Sequence, residues 1–397
     1  MKDKRIWIIF LIIFVNLLGF GIILPLLPYY VESFGAGPLT IGLIFASYSF
    51  FQIISAPILG ELSDKFGRRP VLLFSIFGTA VSFGLLGIAN SIPLLFLSRI
   101  IDGATGGNIS TAQAYIADIT TKENRTQGMG IMMAAFSLGF IIGPALGGLL
   151  SVYGYAVPAF VAGIVALGAT LLTYFFLPES LKRDANSIKV KGKRRPIFSV
   201  KDFYDALTHP EVGLMLSISF MTMFAFSLMQ GTFALFTEHS LSLTAQTNGF
   251  IFAYLGFIGI IVQVFLLKRI LKLLPEHRIV TIAIASLAVS LALIALSTNL
   301  IMLVIAITIL AIANGVSGPV IAGYISKLTP DNEQGNIAGM NQSVGGVARL
   351  FGPLLGTFFY SQIGMRSPYF IATGILLLTC IYGIKKLKPV KEVVTPM

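Results

Sequence analysis

The stretch Gly60-Glu-Leu-Ser-Asp-Lys-Phe-Gly-Arg-Arg-Pro70 lies between two long apolar runs, residues 41–59 and 71–89. A short charged segment in this position predicts a tight turn between two membrane-spanning helices at a lipid–water boundary. Gly60 and Gly67 permit close helix approach and unusual backbone angles, and Pro70 suits the first turn of the next helix. The stretch therefore predicts an architecture of apolar helices joined by short charged connections.

The composition excludes an ordinary soluble protein. Of the 397 residues, 55% are hydrophobic and only 11% are charged, and the mean hydropathy is +0.87. The net charge is +11, but the basic residues lie between apolar runs, so membrane orientation explains them better than nucleic-acid binding. Cys380 is the only cysteine, which excludes an intrachain disulfide and a thiol metal cluster. The three histidines lack metal-ligand spacing, and no nucleotide-binding loop is present.

The apolar runs predict twelve spans and an all-α polytopic membrane protein. Nearly all of the 28 basic residues fall on one side of the predicted spans, together with both termini. The positive-inside bias assigns that side to the cytoplasm. The first apolar run is too long for a signal peptide and lacks a small-residue cleavage site, so it is the first span. The predicted spans are 6–28, 40–60, 71–89, 92–118, 127–151, 156–177, 211–236, 246–268, 279–297, 299–326, 336–361 and 367–385.

The chain contains an internal repeat. A shift of 209 positions superposes Gly143-Pro144 on Gly352-Pro353 and Tyr115 on Tyr324. Parallel six-span repeats on either side of one polar linker are typical of transporters whose bundles rock about a midplane site. The predicted domains are an N-terminal six-helix bundle at 1–180, a cytoplasmic linker at 181–210, and a C-terminal six-helix bundle with its tail at 211–397.

Span 4 carries two ionisable residues, Arg99 and Asp102, one helical turn apart. Each such group costs about 2.5–3.5 kcal/mol within a membrane, so it needs a reason. Gly106, Ile109 and Gln113 continue the same stripe, which predicts that the pair faces the bundle interior. Two hypotheses remain open. Asp102 takes up a proton when its surroundings change, or the neutralised pair only fixes helix packing.

Other polar residues within the spans predict a substrate cavity. Arg349 has no acid in its own helix, and structural support is favoured over contact with an anionic substrate group. Amides among aromatic residues favour an adaptable cavity for bulky amphipathic compounds. The predicted cavity residues are Asn16, Phe20, Tyr48, Gln52, Gln113, Phe226, Gln230, Gln263, Asn314, Asn341, Gln342 and Arg349.

Three motifs resemble those of the major facilitator superfamily. The Gly60–Pro70 stretch resembles its signature loop between helices 2 and 3, and Arg99–Gly103 resembles the span-4 motif whose arginine is associated with proton transfer. The segment Gly143-Pro-Ala-Leu-Gly-Gly148 resembles the antiporter motif of its exporters. The resemblance covers nearly the whole chain and points to bacterial twelve-helix drug:proton antiporters of the tetracycline and multidrug type. It implies a conformational gate at Gly60, Asp64, Gly67, Arg68, Arg69 and Asp118, an antiporter motif at Gly139, Gly143, Pro144, Gly147 and Gly148, and proton coupling at Asp102 and Arg99.

The resemblance implies two pseudo-symmetric six-helix bundles that export amphipathic drugs in exchange for protons by alternating access. The implied partners are a small amphipathic substrate, protons and the lipid bilayer of the bacterial cytoplasmic membrane. No cofactor, metal, nucleic acid or enzymatic activity is expected, and the protein is expected to act as a monomer. Tetracycline exporters usually have an aspartate in span 1, where this chain has Asn16, so the substrate stays open. The alternative is a transporter of an endogenous metabolite or lipid without proton coupling.

Overall fold

The computed structural model describes residues 4–121, 124–181, 211–330 and 333–387. All regular secondary structure within these ranges is helical, which confirms the predicted all-α class. One helix contains a π-helical turn at Val262–Leu266. The helices are α1 Lys4–Glu32, α2 Pro38–Phe66, α3 Arg68–Gly87, α4 Ile92–Thr105, α5 Asn108–Ile119, α6 Arg125–Ser151, α7 Ala156–Phe176, α8 Val212–Leu241, α9 Ala245–Leu273, α10 Glu276–Leu296, α11 Leu300–Leu328, α12 Gln334–Gln362 and α13 Ser367–Lys386.

The helix bounds follow the predicted spans to within about six residues, with one exception. Span 4 was expected to be continuous over residues 92–118, but it consists of α4 and α5, which are separated at Gly106 and Gly107. Ten helices of the described ranges are long and apolar enough to cross a membrane; α4 and α5 are each too short alone, and α12 is long enough but less apolar. Of the predicted linker at 181–210, the structure describes only Leu181; residues 182–210 lie outside the described residues.

The turn between α2 and α3 is a single residue. Helix α2 ends at Phe66 and α3 begins at Arg68, so Gly67 alone reverses the chain. Its φ of 114° and ψ of 157° lie in a region that is open essentially to glycine. This glycine therefore places the charged residues of both helix ends side by side.

The described residues divide into two compact units. The first unit comprises Met1–Ile197 with Thr237–Tyr254, and the second comprises Phe198–Phe236 with Leu255–Met397. The end of α8 and the start of α9 thus belong to the first unit, although the predicted N-terminal bundle ends at residue 180. The core of the first unit is built from small and branched apolar side chains of five helices, among them Ile9, Leu72, Ala112, Ala135 and Ala166.

The repeat seen in the sequence is also a repeat of helix packing within each unit. In the first unit, a Cβ added at Gly143 of α6 would lie 2.5 Å from the Leu18 carbonyl oxygen of α1. In the second unit, a Cβ added at Gly352 of α12 would clash with Ser227 of α8. Leu18 and Ser227 are 209 positions apart, like the two glycines. Glycine at both positions lets equivalent helix pairs approach closely.

Candidate functional site

A buried ion pair lies inside the first unit. The Arg99 Nη1 and Asp102 Oδ2 atoms are 3.0 Å apart, and the two residues are 3% and 5% exposed. Arg99 Nη2 also donates to the hydroxyls of Ser82 and Ser98, at 3.0 Å each. Its guanidinium carbon lies 5.0 Å from the centre of the Phe83 ring. Helices α3 and α4 therefore hold this arginine in one orientation.

The Asp102 carboxylate is balanced by the Arg99 guanidinium. Removing one partner of such a buried pair leaves an uncompensated charge, which is strongly destabilising. Inside the first unit the paired carboxylate and guanidinium therefore stabilise each other.

The stripe predicted beyond the ion pair does not hold. It was expected to run through Gly106, Ile109 and Gln113, but the helix break shifts the register of α5. Gln113 is exposed, whereas Asn108 and Thr111 are buried. The ion pair is buried as predicted, but the spacing beyond it assumed one unbroken helix with a single period.

The structure brings three of the predicted gate residues together. Arg68 contacts the Asp64 carboxylate one turn before it, and its Nε lies 3.4 Å from Asp118 Oδ2 at the end of α5. Arg68 Nη1 also donates to Ser63 Oγ at 2.6 Å, and Ser180 Oγ donates to Asp118 Oδ2 at 3.0 Å. The helix ends of α2, α3 and α5 are thus linked by one arginine.

Glu179, which follows α7, is a residue of this cluster that sequence reasoning missed. Its Oε1 accepts from the Arg68 amide at 2.8 Å, and its Oε2 accepts from the Arg69 amide at 3.1 Å. Oε1 also accepts from the amides of Ser180 and Leu181. A carboxylate at a helix N-terminus satisfies free backbone N–H groups and favours the helix dipole. The sequence did contain one indication of this role, because Glu179 directly follows span 6 on the same side of the predicted spans as the basic turn.

Two predicted gate residues have other surroundings. Arg69 Nη2 donates to the Tyr174 carbonyl oxygen at 2.6 Å, and its guanidinium lies 5.6 Å from the Tyr174 ring centre, so it joins α3 to α7. Gly60 was expected to allow close helix approach. A Cβ there would meet only Ser110 Oγ, at 3.9 Å, so that expectation was wrong.

The glycines of the predicted antiporter motif form one close-packed face of α6. Added Cβ atoms at Gly139 and Gly147 would lie 2.8 Å and 3.0 Å from carbonyl oxygens of α1. At Gly148 an added Cβ would lie 3.0 Å from Gly249 Cα, at the start of α9. Pro144 lies within the continuous helix α6, and a Cβ added at Gly21 of α1 would lie 2.7 Å from its Cδ atom. The motif therefore packs α6 against two neighbours.

Some predicted cavity residues of the first unit lie together. Gln52 Nε2 donates to Tyr48 Oη at 2.8 Å, and the rings of Tyr48 and Phe20 are 5.9 Å apart. A Cβ added at Gly106 would lie 3.6 Å from both Gln52 Nε2 and Tyr48 Oη, so this group adjoins the break in span 4. Asn16 is half-buried.

In the second unit, Asn341 Oδ1 accepts from Ser219 Oγ at 2.7 Å. A Cβ added at Gly345 would lie 3.6 Å from Arg349 Nη1, one turn away. Gln263 lies in the π-helical turn of α9, a feature often found at functional sites. That the predicted residues line one substrate cavity stays a prediction. Of the remaining predicted residues, Phe226, Gln230 and Asn314 are half-buried and Gln342 is exposed.

A second polar network of the first unit was not anticipated. Tyr29 Oη donates to the Leu243 carbonyl oxygen at 2.7 Å and accepts from Asn248 Nδ2 at 2.5 Å. Thr237 Oγ1 donates to Asn248 Oδ1 at 2.9 Å. These bonds join α1 to the end of α8 and the start of α9. Tyr29 is 214 and 219 positions from Leu243 and Asn248, so no local pattern could predict its contacts with them.

The family model of the Major Facilitator Superfamily matches residues 9–300 and 269–396. Multidrug resistance protein 2 of Bacillus subtilis (strain 168) is 28% identical over 391 residues, 97% of each chain. Tetracycline resistance protein, class H, of Pasteurella multocida is 29% identical and covers 99% of this chain and 100% of its own.

Solved structures give the same answer at the level of the fold. The human organic anion transporter MFSD10 (TETRAN) is 25% identical, with a TM-score of 0.71, over 96% of this chain and 100% of its own. The nucleoside transporter NupG is 14% identical, with a TM-score of 0.78, over 97% and 100%. The matched family model, the helical fold and the motifs agree, and the chain belongs to the Major Facilitator Superfamily.

Proposed function

We propose that this transporter exports amphipathic drugs, tetracycline-like or of several classes, in exchange for protons by alternating access. Asp102 carries the proton and Arg99 sets when it binds. The protein works as a monomer in the bacterial cytoplasmic membrane and needs no cofactor besides the proton gradient. The relatives that carry the names multidrug resistance and tetracycline resistance support the substrate class.

The single observation that carries the proposal is the buried pair of Arg99 and Asp102, at 3.0 Å. A charge pair that only filled space would be replaced at little cost by apolar side chains of similar size. An intramembrane ionisable residue is accordingly a candidate for proton transfer. Arg99 is held by two serine hydroxyls besides Asp102, so it has somewhere to remain when the carboxylate becomes neutral.

The gate cluster supports alternating access. Arg68 bridges the acids Asp64 and Asp118, and Glu179 caps the helix that begins with Arg68. Exposed ion pairs of this kind are individually weak, on the order of 1 kcal/mol or less. Weak contacts at the helix ends suit a gate that must open and close in each cycle, because neither state is then too stable to leave.

The test uses purified protein in liposomes with an imposed pH gradient, with tetracycline and ethidium as probes. Asp102→Asn keeps the shape of the side chain but cannot ionise. We expect wild-type protein to accumulate a probe against its gradient. The Asp102→Asn variant should lose gradient-driven transport by about a hundredfold, the usual scale for losing a proton-transfer group, while it still binds the probe.

The matched control is Glu276→Gln. Glu276 also pairs with a basic residue, Lys327 at 2.7 Å, but at an exposed site. This control should transport like the wild type. Wild-type coupling in Asp102→Asn would refute the proton-carrier role. Transport that ignores the pH gradient in every variant would instead support the alternative, a carrier of a metabolite or lipid without proton coupling.

A further inference from the structure

The helix that follows the break in span 4 carries a polar stripe that the ion pair and the gate leave unexplained. Its members are Asn108, Thr111, Tyr115 and Asp118, spaced three, four and three residues apart. This spacing places them on one face of α5. Asn108, Thr111 and Tyr115 are 0%, 1% and 0% exposed. The Tyr115 hydroxyl donates to the Pro178 carbonyl oxygen at 2.8 Å, and Asp118 ends the stripe beside Arg68, so only Asn108 and Thr111 are left to explain.

The first two members of the stripe have unsatisfied polar atoms. Neither amide atom of Asn108 has a hydrogen-bond partner within the described residues, and the Thr111 hydroxyl has none either. Two other buried threonines bond to their own helix: Thr105 donates to the Ile101 carbonyl oxygen and Thr173 to that of Ala169. Buried polar groups without protein partners usually bind ordered water.

The backbone at this point is also interrupted. Helix α4 ends at Thr105, α5 begins at Asn108, and no side chain caps the first turn of α5. Non-helical backbone at membrane depth is tolerated where it is buried in protein or lines a water-filled cavity. The break lies three residues beyond Asp102, so it separates the ion pair from the stripe.

We propose that Asn108 and Thr111 bind a short chain of water molecules that conducts protons between Asp102 and the Asp118 end of α5. This inference rests on the proposed function, in which Asp102 carries the proton. It makes Asn108 and Thr111 positioning residues, since they hold the waters and do not themselves change protonation.

The transfer step balances without any further reactant. The Asp102 carboxyl O–H bond breaks as a bond forms from its proton to the nearest water. That water passes one of its own protons to the next water, and so on along the stripe. Asp102 is left as a carboxylate that Arg99 can pair with, and one proton leaves at the far end. Asn108 and Thr111 supply donors and acceptors that keep successive waters in line.

The test compares two transport modes of the full-length protein in liposomes, again with tetracycline and ethidium. One mode is transport driven by a pH gradient, and the other is exchange of labelled for unlabelled probe at equal pH. The variants are Asn108→Leu and Thr111→Val, which preserve size and remove the polar atoms. The matched control is Thr173→Val, because Thr173 is equally buried but bonds to its own helix.

We expect Asn108→Leu and Thr111→Val to slow gradient-driven transport about tenfold or more, within the range that proton-transfer groups contribute, and to leave exchange unchanged. Asn108→Ser, which is polar and leaves room for water, should restore most of the gradient-driven rate. Thr173→Val should be normal in both modes. Equal loss in both modes, or no rescue by serine, would mean that the residues only maintain packing.

The outcomes separate the inference from the proposed function. If Asp102→Asn loses coupling but Asn108→Leu and Thr111→Val keep it, the water chain is refuted and the proton-carrier role stands. If Asp102→Asn keeps coupling, the proton-carrier role in the proposed function is refuted. If Asn108→Leu and Thr111→Val also keep coupling, the water chain is refuted as well.

Discussion

Two glycines of helix α6 should respond in opposite ways to replacement by alanine, because only one of them is in close contact with α1. A Cβ added at Gly143 would lie 2.5 Å from the Leu18 carbonyl oxygen and 3.0 Å from Gly21 Cα. A comfortable carbon–oxygen contact is about 3.3 Å, so α1 and α6 would have to separate locally by roughly 0.8 Å. At Gly130 of the same helix, an added Cβ would meet nothing within 4 Å.

The two substitutions to alanine should therefore act in opposite directions. Overpacking costs about 1–3 kcal/mol, whereas replacing glycine by alanine in a helix gains at most about 1 kcal/mol. Gly143→Ala should thus destabilise the protein by on the order of 1–2 kcal/mol, and Gly130→Ala should stabilise it slightly. For a chain of this length, each kcal/mol corresponds to roughly 2 °C in Tm.

The assay is thermal unfolding of the purified variants in one detergent, read by intrinsic fluorescence. Gly143→Val should lower Tm further than Gly143→Ala, because its branched side chain demands more separation. The reasoning is refuted if Gly143→Ala raises Tm as much as Gly130→Ala does, since α1 would then not be in close contact with this face of α6.

Three further outcomes follow from the site. Glu179→Ala should lower Tm by an amount equivalent to about 1 kcal/mol, as for a lost N-cap, and change the transport rate; an unaltered Tm and rate would contradict the capping role. Gly67→Ala should cost about 1–2 kcal/mol in the same unfolding assay because its φ is 114°, and a neutral result would contradict the strained turn. Tyr29→Phe should destabilise by about 1–3 kcal/mol, because it leaves the Asn248 amide and the Leu243 carbonyl oxygen without their partner; a Tm equal to that of the exposed-site variant Tyr153→Phe would contradict it.

The sequence could predict what depends on local pattern. Apolar runs of about 20 residues located the spans, since a helix of that length crosses the bilayer, and the positions of Gly143 and Gly352 predicted equivalent packing. Gly67 was identifiable because a reversal in so short a charged segment needs an unusual backbone conformation. The pairing of Arg99 with Asp102 followed from their spacing on one helix.

What depends on tertiary packing was missed. The break at Gly106–Gly107 was missed because the glycine-rich, polar sequence of residues 103–113 was still compatible with one continuous helix. Glu179 was overlooked because its partners are backbone amides of a helix more than a hundred residues earlier. Asn108 drew no attention, since a single amide in a span is common and only its surroundings reveal that its polar atoms lack partners.

The most direct test of the central claim is the number of protons moved per molecule of substrate. Wild-type protein in liposomes with an internal pH indicator should show proton flux on addition of a transported probe, opposite in direction to the probe. The Asp102→Asn variant should show none while it still exchanges the probe. Proton flux of wild-type size in Asp102→Asn would contradict the account.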